Sequence, residues 1–186
     1  MSLFLNKYRI NSLRLNGYDY SREGVYFVTI CVKDKKHLFG EVIQKNNSIF
    51  VELNELGKLA EKNFKEIEKF HPYTIVDQYL IMPNHIHGII AILEQQIDHD
   101  DNKEKILTEY KNSFSPQRKN LPSIVRGYKA SVKSYANKNN IDFNWQSGYY
   151  DRIIRNDAEL INIQKYIFEN PVKWTLEKDF PENLYR

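Results

Sequence analysis

The stretch Tyr79-Leu80-Ile81-Met82-Pro83-Asn84-His85-Ile86-His87-Gly88-Ile89-Ile90-Ala91-Ile92-Leu93 decides how the chain is read. It is an apolar strand, a Pro-Asn turn, and a second apolar strand that begins with two histidines. Residues two apart in a strand point to the same face, so His85 and His87 project together while Ile86 points away. Two imidazoles on one face can hold a divalent metal in a shallow site and leave positions open for a third ligand and a substrate oxygen. Taken alone, a His-x-His pair is more often two ordinary polar residues at a strand start, so the rest of the chain must decide.

At 186 residues, 41% hydrophobic and 13% aromatic, the chain is long enough for one domain with a proper core, and we read residues 1–186 as a single unit. A net charge of +3 is too small to identify partners; where the charges sit is more informative. The one cysteine, Cys31, lies in the apolar run Val28-Thr29-Ile30-Cys31-Val32 and reads as a small core residue. That excludes a disulfide within a monomer and favours a reducing, cytoplasmic home. No signal-peptide stretch and no membrane-length apolar run is present, so no membrane partner is expected.

Upstream of the histidines, residues 1–24 interleave Lys7, Arg9, Arg14 and Arg22 with Tyr8, Tyr18 and Tyr20, a basic arm suited to a nucleic-acid backbone and its bases. Val25 to Lys33 is apolar on both alternations and predicts a central strand covered on both faces. Leu38–Ile43 and Ser48–Leu53 flank Lys45-Asn46-Asn47 as a hairpin. Asn54 then caps a helix with Leu56, Leu59, Ala60, Asn63, Ile67 and Phe70 on its apolar stripe, ending near His71-Pro72. His71 there reads as a cation at the helix C-terminus.

Downstream, Glu94 to Asn120 is polar and charged and reads as a loop or insertion, with His99 solvated. Leu121 to Lys138 restores a helix on Leu121, Ile124, Val125, Tyr128, Val132 and Tyr135, with Pro122 in its first turn. No acidic residue occurs between Tyr110 and Ile141, which marks a candidate phosphate-facing surface carrying Arg126 and Lys129. A strand is expected near Tyr150–Ile154, then a helix opened by Asn156 with Glu159 in capping-box position. Leu160, Ile163 and Ile167 face the core, and Pro171 ends the helix. With the hairpin set aside, the order is βαββαβ plus a final helix. This is the α+β, ferredoxin-like plan: an antiparallel sheet with its helices on one face.

Tyr166 and Asn170 are four apart and stack on one face of that last helix, offset from its core stripe. A tyrosine hydroxyl, with an ordinary pKa of about 10, is a poor nucleophile unless its electrophile is organised for it. A nearby metal could do that for a phosphodiester. A tyrosine that merely packs its ring on an amphipathic rim would look the same.

Together these stretches resemble the single-tyrosine HUH nucleases, and most of all the transposases associated with repetitive extragenic palindromes. The similarity rests on Met82-Pro83-Asn84-His85-Ile86-His87-Gly88, Leu15 to Tyr20 with Gly24 to Cys31, Ile124 to Lys129, and Trp145-Gln146 through Tyr149 to Arg155 into Tyr166-Ile167 and Asn170-Pro171. It spans roughly residues 9 to 174. The resemblance implies a Mg²⁺ or Mn²⁺ ion on His85, His87 and Asn170, with Glu169 the runner-up for the third ligand. It implies attack by Tyr166 on single-stranded or hairpin DNA (repetitive palindromes or element ends), leaving a 5′-phosphotyrosine and a free 3′-hydroxyl. Tyr149 and Tyr150 rank behind Tyr166 as nucleophile. Arg126, Lys129, Gln146, Arg152 and Arg155 are the candidates for holding DNA, by a monomer or homodimer. Two other classes stay open: a DNA- or RNA-binding module, including an inactive relative of these enzymes, and a metal-dependent hydrolase that uses water.

Overall fold

The computed structural model describes residues 23–93 and 119–176. Most of the basic arm and of the polar 94–120 segment therefore lies outside the described residues. The strands are β1 (Gly24–Cys31), β2 (Gly40–Lys45), β3 (Ser48–Leu53), β4 (Thr74–Ile81), β5 (His85–Ile92) and β6 (Tyr150–Ile154). The helices are α1 (Glu55–Lys65), α2 (Ile67–Phe70), α3 (Leu121–Lys138) and α4 (Asp157–Leu176). Four strands form one sheet in the order β4-β5-β1-β6, each pair antiparallel. With β2 and β3 removed, this is the ferredoxin-like order. β2 and β3 pair separately around Asn46 and Asn47, whose φ values of 51° and 60° suit a tight primed hairpin turn.

The three long helices, α1, α3 and α4, each begin where a side chain satisfies orphan amides. Asn54 Oδ1 accepts from the Gly57 amide at 2.9 Å. At α3, Asn120 Oδ1 accepts from Ser123 N–H while Ser123 Oγ accepts from Asn120 N–H, a reciprocal box. At α4, Asn156 Oδ1 accepts from Glu159 N–H at 2.9 Å, but the Glu159 carboxylate reaches back to the Arg155 amide at 2.9 Å.

Alternation along the central strands splits the interior in two. Tyr26, Val28 and Ile30 of β1 and Ile86, Ile90 and Ile92 of β5 face α1 and α3, forming the larger core with Phe64, Ile124, Tyr128 and Val132. Phe27 and Ile89, of opposite parity, face α4 and pack with Ile154, Ile163 and Ile167. This corrects the expectation of helices on one face only: α1 and α3 cover one side of the sheet and α4 covers the other. An apolar run that is buried on both sides does not say which helix takes which side.

Three further expectations change. The α1 stripe is Leu56, Gly57, Ala60 and Phe64, while Asn63 turns outward to Ser131 Oγ at 3.0 Å. The helix breaks at Glu66, and the Phe70 ring is exposed. α4 does not stop at Pro171 but runs through it to Leu176. A mid-helix proline forfeits one backbone bond and costs about 3 kcal/mol; burial of Ile167 and ring contacts made by Trp174 hold the helix on both sides of it. His71 is not a helix-terminal cation either: burial lowers its pKa, and Nδ1 bonds the Tyr73 hydroxyl at 2.9 Å. Among the described residues, no helix is long and apolar enough to cross a membrane.

Candidate active site

The Pro83-Asn84 turn sets the histidines in place. Met82 N–H donates to His85 O at 2.8 Å, Pro83 O accepts from Leu38 and Phe39, and Asn84 O accepts from Val32 at 2.8 Å. The strand pairing then places Thr29 beside His87 and Cys31 beside His85. Gly88 is glycine because Phe64 lies against it: a Cβ there would stand 2.3 Å from Phe64 Cζ. The histidine strand is thus seated directly on the α1 core.

Both imidazoles are buried, His85 2% and His87 1% exposed. His85 Nδ1 lies 2.6 Å from Asn84 Oδ1, an amide oxygen that can only accept, so Nδ1 carries the hydrogen and Nε2 keeps its lone pair. His87 Nδ1 lies 2.9 Å from Thr29 Oγ1. The two Nε2 atoms face each other at 3.0 Å. Burial, with His37 nearby, pushes the His85 pKa down to about 3; burial, with His85 beside it, pushes His87 well below its ordinary value. Two neutral rings so placed can share a proton or a cation. Two nitrogens at right angles on an ion with bonds of about 2.1 Å stand about 3.0 Å apart, so the pair fits a metal.

α4 lies over this pair. The Tyr166 hydroxyl is 3.4 Å from His87 Nε2, and its ring meets those of His87 and Phe27 at centroid distances of 5.2 and 6.1 Å. Two turns on, the Trp174 ring packs 5.8 Å from His85 and 5.4 Å from His37. Asn170 is one turn from each and shares their face of the helix. It is 3% exposed, and its Oδ1 has no hydrogen-bond partner among the described residues. A buried amide oxygen without a partner calls for a reason, and a metal ligand supplies one. Glu169 is engaged elsewhere, within 3.7 Å of Lys165 and 3.2 Å of Lys173. Among the described residues, no group of three His, Cys, Asp or Glu side chains could hold a metal, so an ion here would need the amide.

A cleft of about 770 Å³ opens beside Tyr166, between α4 and the edge strand β6. Phe27, Thr29 and His87 form its inner end; Tyr150, Arg152, Arg155, Asn162 and Glu159 line the rest.

No family model matches the chain. Over 167 residues it is 40% identical to an "Uncharacterized protein" of Haemophilus influenzae, with 88% of each chain covered. It is 28% identical over 170 residues to a protein of the same organism named "Putative REP-associated tyrosine transposase", covering 90% of this chain and 82% of that one. Its fold matches that of a REP-associated tyrosine transposase solved bound to a REP hairpin, with a TM-score of 0.54 and 18% identity over 90% of this chain and 80% of the other. In sequence and in fold the chain is thus similar to REP-associated tyrosine transposases.

Within this fold the residues singled out from the sequence fall into three groups. His85, His87 and Tyr166 come together, with Asn170 on the same helical face. Arg152 and Arg155 line the cleft, Arg152 held at 2.6 Å by the Glu159 carboxylate. Arg126 and Lys129 sit on α3, across the sheet from the histidines. Arg126 is exposed. The Lys129 ammonium instead donates to the carbonyls of Gln146 and Gly148 at 2.8 and 2.7 Å and lies over the Trp145 ring, tying down the loop before β6. Gln146 holds that loop to β1 through its own N–H, donated to Cys31 O at 2.9 Å. Tyr149 is buried in the larger core, and Tyr150 lines the cleft. Sequence reading missed Asn84, Thr29 and Trp174. Asn84 was legible as the neighbour of His85, whereas Thr29 and Trp174 are brought in only by strand register and helix placement.

Proposed function

We propose that this chain cleaves and rejoins single-stranded, hairpin-bearing DNA through a covalent link to Tyr166. The observation that carries the reading is the 3.4 Å approach of the Tyr166 hydroxyl to His87 Nε2, with His85 Nε2 a further 3.0 Å away. A nucleophile and an imidazole pair from two separate elements thus share one centre. His85 Nε2, His87 Nε2 and Asn170 Oδ1 would hold a Mg²⁺ or Mn²⁺ ion. Such an ion supplies charge neutralisation at the phosphate oxygens.

The protein does the rest. Tyr166 Oη attacks phosphorus, the bond from phosphorus to the 3′-oxygen breaks, and the phenolic proton passes through solvent to that oxygen. The products are a 5′-phosphotyrosine and a free 3′-hydroxyl. One phosphodiester replaces another, so a 3′-hydroxyl can reverse the step without ATP. Asn84 and Thr29 fix the two rings through their Nδ1 atoms, presenting Nε2 to the centre.

The test uses labelled single-stranded hairpins taken from palindromic sequences beside the protein's own gene, incubated with the protein and Mn²⁺. We expect a protein–DNA species that survives denaturant. Tyr166→Phe should abolish it while DNA binding persists, and His85→Ala should abolish it through loss of the ion. A binding module would give no such species. A water-using hydrolase would cut without becoming attached, and Tyr166→Phe would still cut.

A further inference from the structure

We propose that Asn162 is a specificity-determining residue, whose side-chain amide reads the nucleobase adjoining the phosphodiester that Tyr166 attacks. This rests on the single-strand reading above and names the part of the strand that the protein itself recognises.

Asn162 stands one helical turn before Tyr166, so both side chains leave the same face of α4. Both line the same cleft, whose volume of about 770 Å³ lies within the range of clefts that take small ligands. A strand seated on Tyr166 therefore continues past Asn162. Of the other polar groups that the start of α4 lends to the cleft, Glu159 holds Arg152 and accepts from the Arg155 amide, and Asn156 caps the helix. Asn162 is exposed, and its amide makes no hydrogen bond among the described residues. It caps nothing and braces nothing.

The chemistry of the wall divides accordingly. Arg155 meets phosphate, which carries no sequence information. Phe27, at the inner end, offers a ring face that any base can contact. Asn162 alone presents a neighbouring donor and acceptor, the pair that matches the N6/N7 edge of adenine. Unstacked bases of a single strand expose such edges, so the residue can act without a groove.

The test selects, in EDTA, from a library of hairpins carrying randomised single-stranded flanks on both sides of the stem. Tyr166→Phe and Tyr166→Phe/Asn162→Ala are compared, so that binding is read without cleavage. The first protein should enrich adenine at one flanking position by roughly tenfold. The second should lose that preference while keeping its affinity for the stem and its preferences elsewhere. Asn162→Asp, which can only accept, should move the preference to cytosine. Unchanged profiles in the two proteins, or a loss spread evenly over all positions, would overturn the assignment. Failure of both proteins to enrich any hairpin would overturn the single-strand reading along with it.

Discussion

The Thr29 hydroxyl and His87 Nδ1, 58 residues apart in sequence, meet at 2.9 Å inside the sheet. β1 and β5 place them side by side, so the same register that builds the sheet orients the imidazole. Thr29→Val keeps the shape and strand propensity but leaves a buried ring nitrogen without its partner, at a cost of about 1–3 kcal/mol. Metal affinity should fall about 10- to 100-fold, as expected when a ligand loses its outer support. Calorimetric titration of both proteins with Mn²⁺ checks this, and equal affinities would show that Thr29 orients nothing.

Acid should weaken the fold through the histidine pair. Both pKa values are lowered in the folded protein, so the unfolded chain binds the extra protons as pH falls. Their contribution is fully present above the ordinary value of about 6.5 and is lost progressively below it, toward about 3 for His85. At pH 5 the loss from His85 alone should be on the order of 2 kcal/mol. Urea midpoints at pH 7 and pH 5 measure it. A His85→Gln/His87→Gln variant with the same acid sensitivity as the parent would place the effect elsewhere.

Asn170 should trade stability for function. Its buried Oδ1 finds no partner among the described residues, so Asn170→Leu removes a desolvation penalty at similar volume. Without metal, the variant should be more stable by about 1 kcal/mol. With Mn²⁺ it should gain less than the parent, because binding to the folded state is what raises the melting temperature. Melting curves with and without Mn²⁺ decide; equal metal-dependent shifts would remove Asn170 from the site.

Gly88→Ala should be among the most damaging small substitutions in the chain. The added methyl would meet Phe64 Cζ at 2.3 Å, and that ring is fully buried with nowhere to go. Overpacking of this kind costs about 1–3 kcal/mol. A companion Phe64→Leu change should recover part of the loss, and non-additivity in the double-mutant cycle is the readout.

On the far face of the sheet, Arg126→Ala should weaken binding to single-stranded hairpins only slightly, whereas Arg155→Ala, in the cleft, should weaken it markedly and reduce the salt dependence by about one ion. Titrations at several salt concentrations compare the two. A larger effect at Arg126 would put the DNA across α3 instead.

Much of this was legible because it is local. Alternation alone put His85 and His87 on one face, Asn46-Asn47 marked the hairpin, and β6 begins and ends where its residues said. What escaped the sequence is what distant elements decide. Asn63 and Phe64 both suit an apolar stripe on α1, and only the gap over Gly88, in another strand, selects Phe64. Lys129 reads as a surface cation until the loop at Gln146 to Gly148 folds back onto it. Pro171 is a stop signal in any isolated helix; ring and apolar contacts on both sides of it override that signal.

The two cores differ greatly in size. Where α1 and α3 share a broad interior of rings and aliphatics, α4 is seated through its Ile163 and Ile167 largely on Ile89 and Ile154 of the sheet. Such an element can detach while the rest stays folded, as a separate cooperative unit. Tyr166 belongs to it and the histidines do not. A DNA end esterified to that tyrosine would therefore be cargo on a movable arm, carried from one partner strand to the next without being let go.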